Sequence, residues 1–199
     1  MTSRTIATYD VIAEKYAKKH WRTRLLVKER AKFSRLCKKG EILDAGCGVG
    51  IYTKFFLSRG LKTTGIDLSS GMLEEAKKRV PKGKFIKMSI TKLEFGHNVF
   101  EGVWCAAVLL HLKPSSTRKA LAEINNVIKP DGLLFVSVKK GSGAIIKTYP
   151  DGTKRFFQFY GTSEISELIR KSGFRIEELH ENTDEDEDSW VCIFARKHK

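Results

Sequence analysis

Three glycines at alternate positions, Gly46, Gly48 and Gly50, follow a carboxylate, Asp44, in the segment ILDAGCGVG, and a second carboxylate, Asp67, closes the run TTGID. Glycine lacks a Cβ, so a bend built this way lets backbone N–H groups approach a ligand that a side chain would hold off. A carboxylate ending the next strand accepts charge-assisted hydrogen bonds from ribose hydroxyls, which a neutral residue matches poorly. Bend and acid together read as a nucleoside site. The plainer reading is that Asp44 caps the glycine turn and Asp67 caps the following helix. Phosphate-cradling alternatives fail: the dinucleotide pattern G-x-G-x-x-G meets Ile51, or Thr53 from the next frame, where its last glycine belongs, and no Gly-Lys-Ser/Thr follows for a P-loop. Cys47, inside the bend, is either a reactive thiol or small buried packing.

These residues need rigid elements to hold them. Helical spacing over residues 1–40 (Ile6, Tyr9, Ile12, Ala13, Tyr16; then Leu25, Leu26, Phe33, Leu36) predicts two amphipathic helices ahead of the first strand. EILDAG, the bend, the helical stretch YTKFFLSRG and LKTTGID form a βαβ unit. Ser69 and Ser70 open a helix to Arg79, KFIKMSI is a third strand, and VFEGVWCAAV a fourth. Pro114 and Ser115 start a helix running to about Lys129, Pro130-Asp131-Gly132 ends it, and LLFVSVKK is the fifth strand. Residues 140–161, with a turn at Pro150-Asp151-Gly152, predict a hairpin or lid. A helix from Thr162 to about Lys171 leads to FRIEELH and WVCIFARK, an antiparallel pair joined by the acidic loop Asp184 to Asp188. One α/β domain over residues 1–199 is expected, a doubly wound and mostly parallel sheet with a helical N-terminal extension, binding ligands beyond the carboxyl ends of its strands.

The run D-A-G-C-G-V-G followed by G-I-D-L-S resembles the first two motifs of class I S-adenosylmethionine-dependent methyltransferases. YDVIAEKYAKKH resembles that family's helical start, VWCAAVLLHL its fourth-strand motif, and INNVIKPDGLLFVSV its fifth. The likeness implies a Rossmann-like, seven-stranded sheet in the order 3-2-1-4-5-7-6 with an antiparallel last strand, and S-adenosyl-L-methionine as cofactor. It further implies that Asp44, Gly46, Cys47, Gly48 and Gly50 line the methionine part and Asp67 holds the ribose. Leu68 and Met72 would pack on the adenine, and Cys105 and Ala106 would lie near the methionine chain. Where relatives place an acid for the adenine amino group, this chain has Ser89, leaving adenine to the backbone around Ile90 and to weaker hydroxyl bonding.

Methyl transfer from a sulfonium is an in-line displacement, so alignment and desolvation carry most of the work and an obvious triad is not required. If a proton must leave the acceptor, the candidate groups are His111, Tyr16 and Tyr160; the alternative for His111 is packing or turn capping, and for Tyr9 and Tyr16 core contact. Arg155 is either a clamp for an anionic acceptor or a solvated hairpin residue.

Composition narrows the classes. With 41% hydrophobic and 30% charged residues and no apolar run near the roughly 20 residues of a membrane helix, a cytoplasmic, non-membrane protein is expected. The start MTSRTIATYD lacks the pattern of a secretory signal. Cys37, Cys47, Cys105 and Cys192 are far apart and no histidine spacing accompanies them, so neither a disulfide framework nor a metal site is expected. Net charge is +14, with 12 Lys or Arg in residues 1–40 and eight of the 23 acids between Glu177 and Asp188. The basic surface suits phosphates or anionic substrates. The favoured reading is therefore a methyltransferase with a small-molecule acceptor. An RNA acceptor is the alternative, since RFFQFYGTSEISELIRKSGFRIEEL loosely resembles the terminal part of tRNA wobble-uridine methyltransferases; a cofactor-binding protein without catalysis is a third.

Overall fold

The computed structural model describes residues 1–21, 25–37, 40–184 and 187–199. Arg22, Arg24, Lys38 and Lys39 of the basic N-terminal segment, and Glu185 and Asp186 of the acidic loop, lie outside the described residues. Seven strands make one sheet: β1 (Glu41–Ala45), β2 (Lys62–Asp67), β3 (Lys84–Lys87), β4 (Phe100–Ala106), β5 (Ile128–Lys139), β8 (Phe174–Thr183) and β9 (Ser189–Lys197). Their order is β3-β2-β1-β4-β5-β9-β8, the expected one, with β9 antiparallel to both neighbours. β6 (Ala144–Thr148) and β7 (Lys154–Gln158) form the separate hairpin foreseen after β5.

The helices follow from their caps. Ser69 accepts from the Met72 N–H and starts α4 (Ser70–Arg79), Pro114 occupies the first turn of α5 (Pro114–Val127), and Gly173, at φ +85°, closes α6 (Thr162–Lys171). α5 stops at Val127, two residues before the expected end, and the Pro130-Asp131-Gly132 turn is absorbed into the start of β5, where the pairing with β4 shifts register and Asp131 takes φ +60°.

Two apolar layers clamp the sheet. On one face Phe33 from α2 (Val27–Leu36) and Phe56 from α3 (Ile51–Ser58) pack edge-on against Trp104, which stacks on Phe135 at 4.0 Å. In the larger cluster Ala120, Leu121 and Ile124 of α5 join Ile165 and Ile169 of α6. The two helices of the N-terminal segment thus have different places: α2 belongs to the core, and α1 (Ser3–His20) lies over the carboxyl edge of the sheet. α1 is fastened to α4 where Asp10 accepts from Ser69 Oγ (2.6 Å) and the Gly71 N–H (3.0 Å). A Cβ on Gly71 would come within 2.6 Å of the Asp10 carbonyl, so glycine permits this approach. β7 docks on the other side of α1, with Thr8 Oγ1 donating to the Lys154 carbonyl and the Phe156 N–H to Thr5 Oγ1. No helix among the described residues is long and apolar enough to cross a membrane.

Candidate active site

The floor of the cleft is the glycine bend between β1 and α3. Gly46 and Cys47 both donate their N–H to the Ile66 carbonyl, at 2.8 and 2.9 Å, which ties the bend to β2. Gly46 sits at φ +77°, and a Cβ there would fall 2.2 Å from Val108 Cγ2. Gly48, at φ +51°, has nothing within 4 Å of its Cβ position and lines the cleft, so its backbone is bare toward the cleft. Its N–H donates to Asp67 Oδ2 (3.0 Å) while the Ser69 N–H donates to Oδ1 (2.9 Å). Burial raises the Asp67 pKa, and these backbone donors pull the other way.

Asp44 departs from its expected place. It is 1% exposed, lies under the bend, and accepts from Thr53 Oγ1 at 2.6 Å. Gly50, the N-cap of α3, has no side chain to offer, and Asp44 supplies the acceptor at that helix start instead. Burial pushes its carboxyl up to about 7, the Thr53 bonds opposing. Gly50 also turns away from the cleft; its Cβ would meet Phe85 and Ala76 at 3.1 and 3.3 Å. Asp44 and Gly50 thus support the bend rather than line it. Cys47 does line the cleft, but burial holds its thiol far up, which favours packing over reactivity. Cys105 is wholly buried in the core and does not reach the cleft.

Gly46, Cys47, Gly48, Asp67, Met72, Ala106, Tyr16 and His111 converge on one cleft of about 140 Å³. Leu68, Ser89 and Ile90 line a narrow extension that shares Gly46, Asp67 and Val108 with it. Ser89 bonds locally, to Thr91 Oγ1 at 2.9 Å. Tyr160 is not brought to the site: it is fully buried and its hydroxyl pairs with Thr117 Oγ1 at 2.8 Å, so it is withdrawn as a candidate base.

The roof comes from α1, from residues 109–111 (a single 3-10 turn) and from β7. Tyr9 Oη lies 2.8 Å from His111 Nε2, and His111 Nδ1 lies 2.7 Å from the Phe156 carbonyl oxygen. A carbonyl only accepts, so Nδ1 carries the proton and the Tyr9 hydroxyl donates to the Nε2 lone pair. Burial lowers the His111 pKa to about 4, against a smaller opposing effect of the Phe156 bond. Burial raises Tyr9 and Tyr16, so both hydroxyls stay protonated. Arg155 stacks on Tyr149 at 3.8 Å and reaches Tyr9 Oη at 3.4 Å. Sequence spacing pointed to His111 and Tyr16 separately. It did not reveal the Tyr9–His111 pair, 102 residues apart, nor Val108, whose methyls press on Gly46.

A sequence model of the methyltransferase domain matches residues 43–136, from β1 into β5. A ubiquinone biosynthesis O-methyltransferase from Nitrosospira multiformis is 30% identical over 164 residues, 73% of this chain and 66% of that one. The chain spans just under two thirds of the length of the first curated relatives it matches. Among solved structures, the 1,6-didemethyltoxoflavin-N1-methyltransferase of Burkholderia thailandensis superposes with a TM-score of 0.76 at 21% identity, covering 98% of this chain and 88% of that one. The cyclase SpnF superposes as well, at TM-score 0.75 and 18% identity over 99% and 96% of the two chains, so the fold by itself does not fix a reaction. Sequence match, sheet order and glycine bend agree: residues 43–136 are a methyltransferase domain, set in the fold of class I S-adenosylmethionine-dependent methyltransferases.

Proposed function

We propose that the chain transfers the methyl group of S-adenosylmethionine to an oxygen of a small-molecule acceptor. One observation carries this: the open backbone at Gly48 and the Asp67 carboxylate form one wall of the cleft that the Tyr9–His111 pair closes from above. The donor set fits the cofactor. Backbone N–H groups fix both Asp67 oxygens beside the cleft, so the carboxylate is held ready to accept from a ribose hydroxyl, and the space above Gly48 is what a Cβ would fill. Asp67 would hold the ribose, Gly46 and Gly48 the methionine part, and Leu68, Met72, Ser89 and Ile90 the adenine side. Once bound, S-adenosylmethionine supplies a methyl group already activated by its sulfonium charge.

The remaining work falls to the chain. α1 and β7 exclude water and fix the acceptor in line, a contribution of about 7 to 11 kcal/mol in well-oriented reactions. A methylated hydroxyl is a strong acid, so even an imidazole whose conjugate acid has a pKa of about 4 accepts its proton. The His111 Nε2 lone pair is held by the Tyr9 hydroxyl, so a proton reaches it by relay, Tyr9 passing its own proton to Nε2 as it takes the acceptor's, or after the Tyr9 hydroxyl turns aside; Nδ1–H stays on the Phe156 carbonyl. The naming of the curated relatives as ubiquinone biosynthesis O-methyltransferases supports an oxygen acceptor on a small molecule. A cleft roofed by α1 and the turn at 109–111 suits such a molecule better than a splayed nucleotide of RNA.

Titration calorimetry with S-adenosylmethionine should show binding that Asp67→Asn weakens by about 10- to 100-fold, the worth of a hydrogen bond to a charged group. Unchanged affinity would remove Asp67 from the site. Transfer of labelled methyl from the cofactor to hydroxylated small molecules, with RNA as the comparison, tests the acceptor class; label appearing only in RNA would overturn it.

A further inference from the structure

The chain carries a second cleft, of about 620 Å³, on the side of the sheet edge where α2 crosses β8 and β9. Glu29 of α2 and His180 of β8 line it, and Cys192 of β9 is buried just behind them, the ligand atoms of the three all within 4.8 Å of one another. His180 and Cys192 are directly paired across the two strands, so the sheet register fixes their spacing, and Glu29 reaches down from the helix to place Oε1 2.9 Å from His180 Nε2. Behind the imidazole, His180 Nδ1 faces Glu178 Oε1 at 3.6 Å.

We propose that Glu29, His180 and Cys192 form a zinc site with a fourth position open to the second cleft. Thiolate, imidazole and carboxylate are the donor types that zinc takes together, and three protein ligands with an open position is one of its standing geometries. Tetrahedral ligand atoms stand somewhat over 3 Å apart at zinc–ligand bonds of about 2.0 to 2.3 Å, so the triad needs only side-chain rotation to close. A metal-bound imidazole commonly donates from its second nitrogen to a carboxylate, and Glu178 Oε1 stands 3.6 Å from His180 Nδ1, near enough to take that part once the proton sits on Nδ1; Asn182 bonds the Cys192 sulfur. Lys28 and Lys32 both line the cleft, and Lys32 is already paired with Glu178. Before metal binding Glu29 accepts the His180 proton from Nε2; metal binding at Nε2 shifts that proton to Nδ1, so the one proton released to solvent is that of the Cys192 thiol. The site would pin α2 to the β8–β9 edge, and Leu25, just before α2, lines both clefts.

The test uses the full chain and needs no activity. Zinc titrated against a chromogenic chelator should be held at one equivalent per chain, and cobalt in its place should show a thiolate-to-metal band with the visible bands of tetrahedral coordination. Cys192→Ser and His180→Gln, checked for folding by circular dichroism, should each weaken zinc binding by about 10-fold or more. Cys37→Ser, in a buried cysteine outside the triad, should leave it unchanged. Failure of the wild type to retain stoichiometric zinc, or a cobalt spectrum without the thiolate band, overturns the proposal, and the cobalt readout stands even where a variant misfolds. S-adenosylmethionine affinity is measured in parallel, since the two clefts can succeed or fail independently.

Discussion

Floor and roof of the candidate active-site cleft are built on different principles. The floor is backbone geometry, with a bend between β1 and α3 and an acid ending β2, its residues within 24 positions of one another in the sequence. The roof is side-chain chemistry gathered from α1, the turn at 109–111 and β7, fastened by Thr5, Thr8 and Asp10. Burial acts on them with opposite signs. It raises the Asp44 carboxyl beneath the floor and lowers His111 in the roof, so acid favours the one and neutral pH the other. A binding surface made of backbone tolerates almost no change of shape, whereas a reactive roof tolerates substitution of shape but not of protonation.

The sharpest way to break this contrast lies within the floor. Gly46→Ala forces a Cβ 2.2 Å from Val108 Cγ2 at φ +77°, and overpacking plus left-handed strain should cost about 2 to 5 kcal/mol of stability. Gly48→Ala meets no atom within 4 Å, so it should cost only about 1 to 2 kcal/mol of backbone strain while still filling the cleft. Chemical denaturation and calorimetry on both should show Gly46→Ala losing fold and binding together, and Gly48→Ala losing binding with most of the fold kept. Equal destabilisation would mean that Gly48 serves the turn and not the ligand.

A smaller but more diagnostic effect is expected from the roof. His111→Asn should leave S-adenosylmethionine affinity near wild type and lower kcat by about 100- to 10,000-fold, the usual worth of positioned acid–base groups. It should also change the pH dependence of stability. The folded-state pKa of about 4 lies below the ordinary 6.5, so between these values the unfolded chain binds the extra proton. Stabilisation is therefore full above about 6.5 and is lost as pH falls toward 4, by roughly 3 kcal/mol in all. Asp44 runs the other way, losing stability as pH rises from 3.8 to about 7, so only the difference between wild type and His111→Asn isolates the histidine. A flat difference curve over that window would show that His111 is not buried neutral.

The same contrast explains what could be read from the sequence. The βαβ unit, sheet order, bend and Asp67 were legible because local period, glycine spacing and strand ends encode them within short stretches. Tyr160 misled because a tyrosine after a hairpin looks like a lid residue, and nothing local signals that Thr117, 43 positions away, takes its hydroxyl. Spacing ties Asp44 to the bend but cannot say which side of a strand end faces the cleft, and its carboxylate lies buried on Thr53. Pairing of Tyr9 with His111, and of Glu29 with His180 and Cys192, depends on tertiary contacts of 100 residues or more that leave no local period.

Tyr9→Phe gives the smallest expected effect and the finest division of the roof. Losing the hydroxyl leaves His111 Nε2 without its donor and Arg155 without a contact that is weak at 3.4 Å, a loss of about 1 kcal/mol in stability. If Tyr9 only orients the imidazole, kcat should fall several-fold with KM for S-adenosylmethionine unchanged, and the double variant with His111→Asn should be no slower than His111→Asn alone. If Tyr9 passes the proton on, its removal should cost as much as removal of His111, because either loss breaks one relay. Independent, additive losses would show that the two residues serve different steps and that the roof is not a unit.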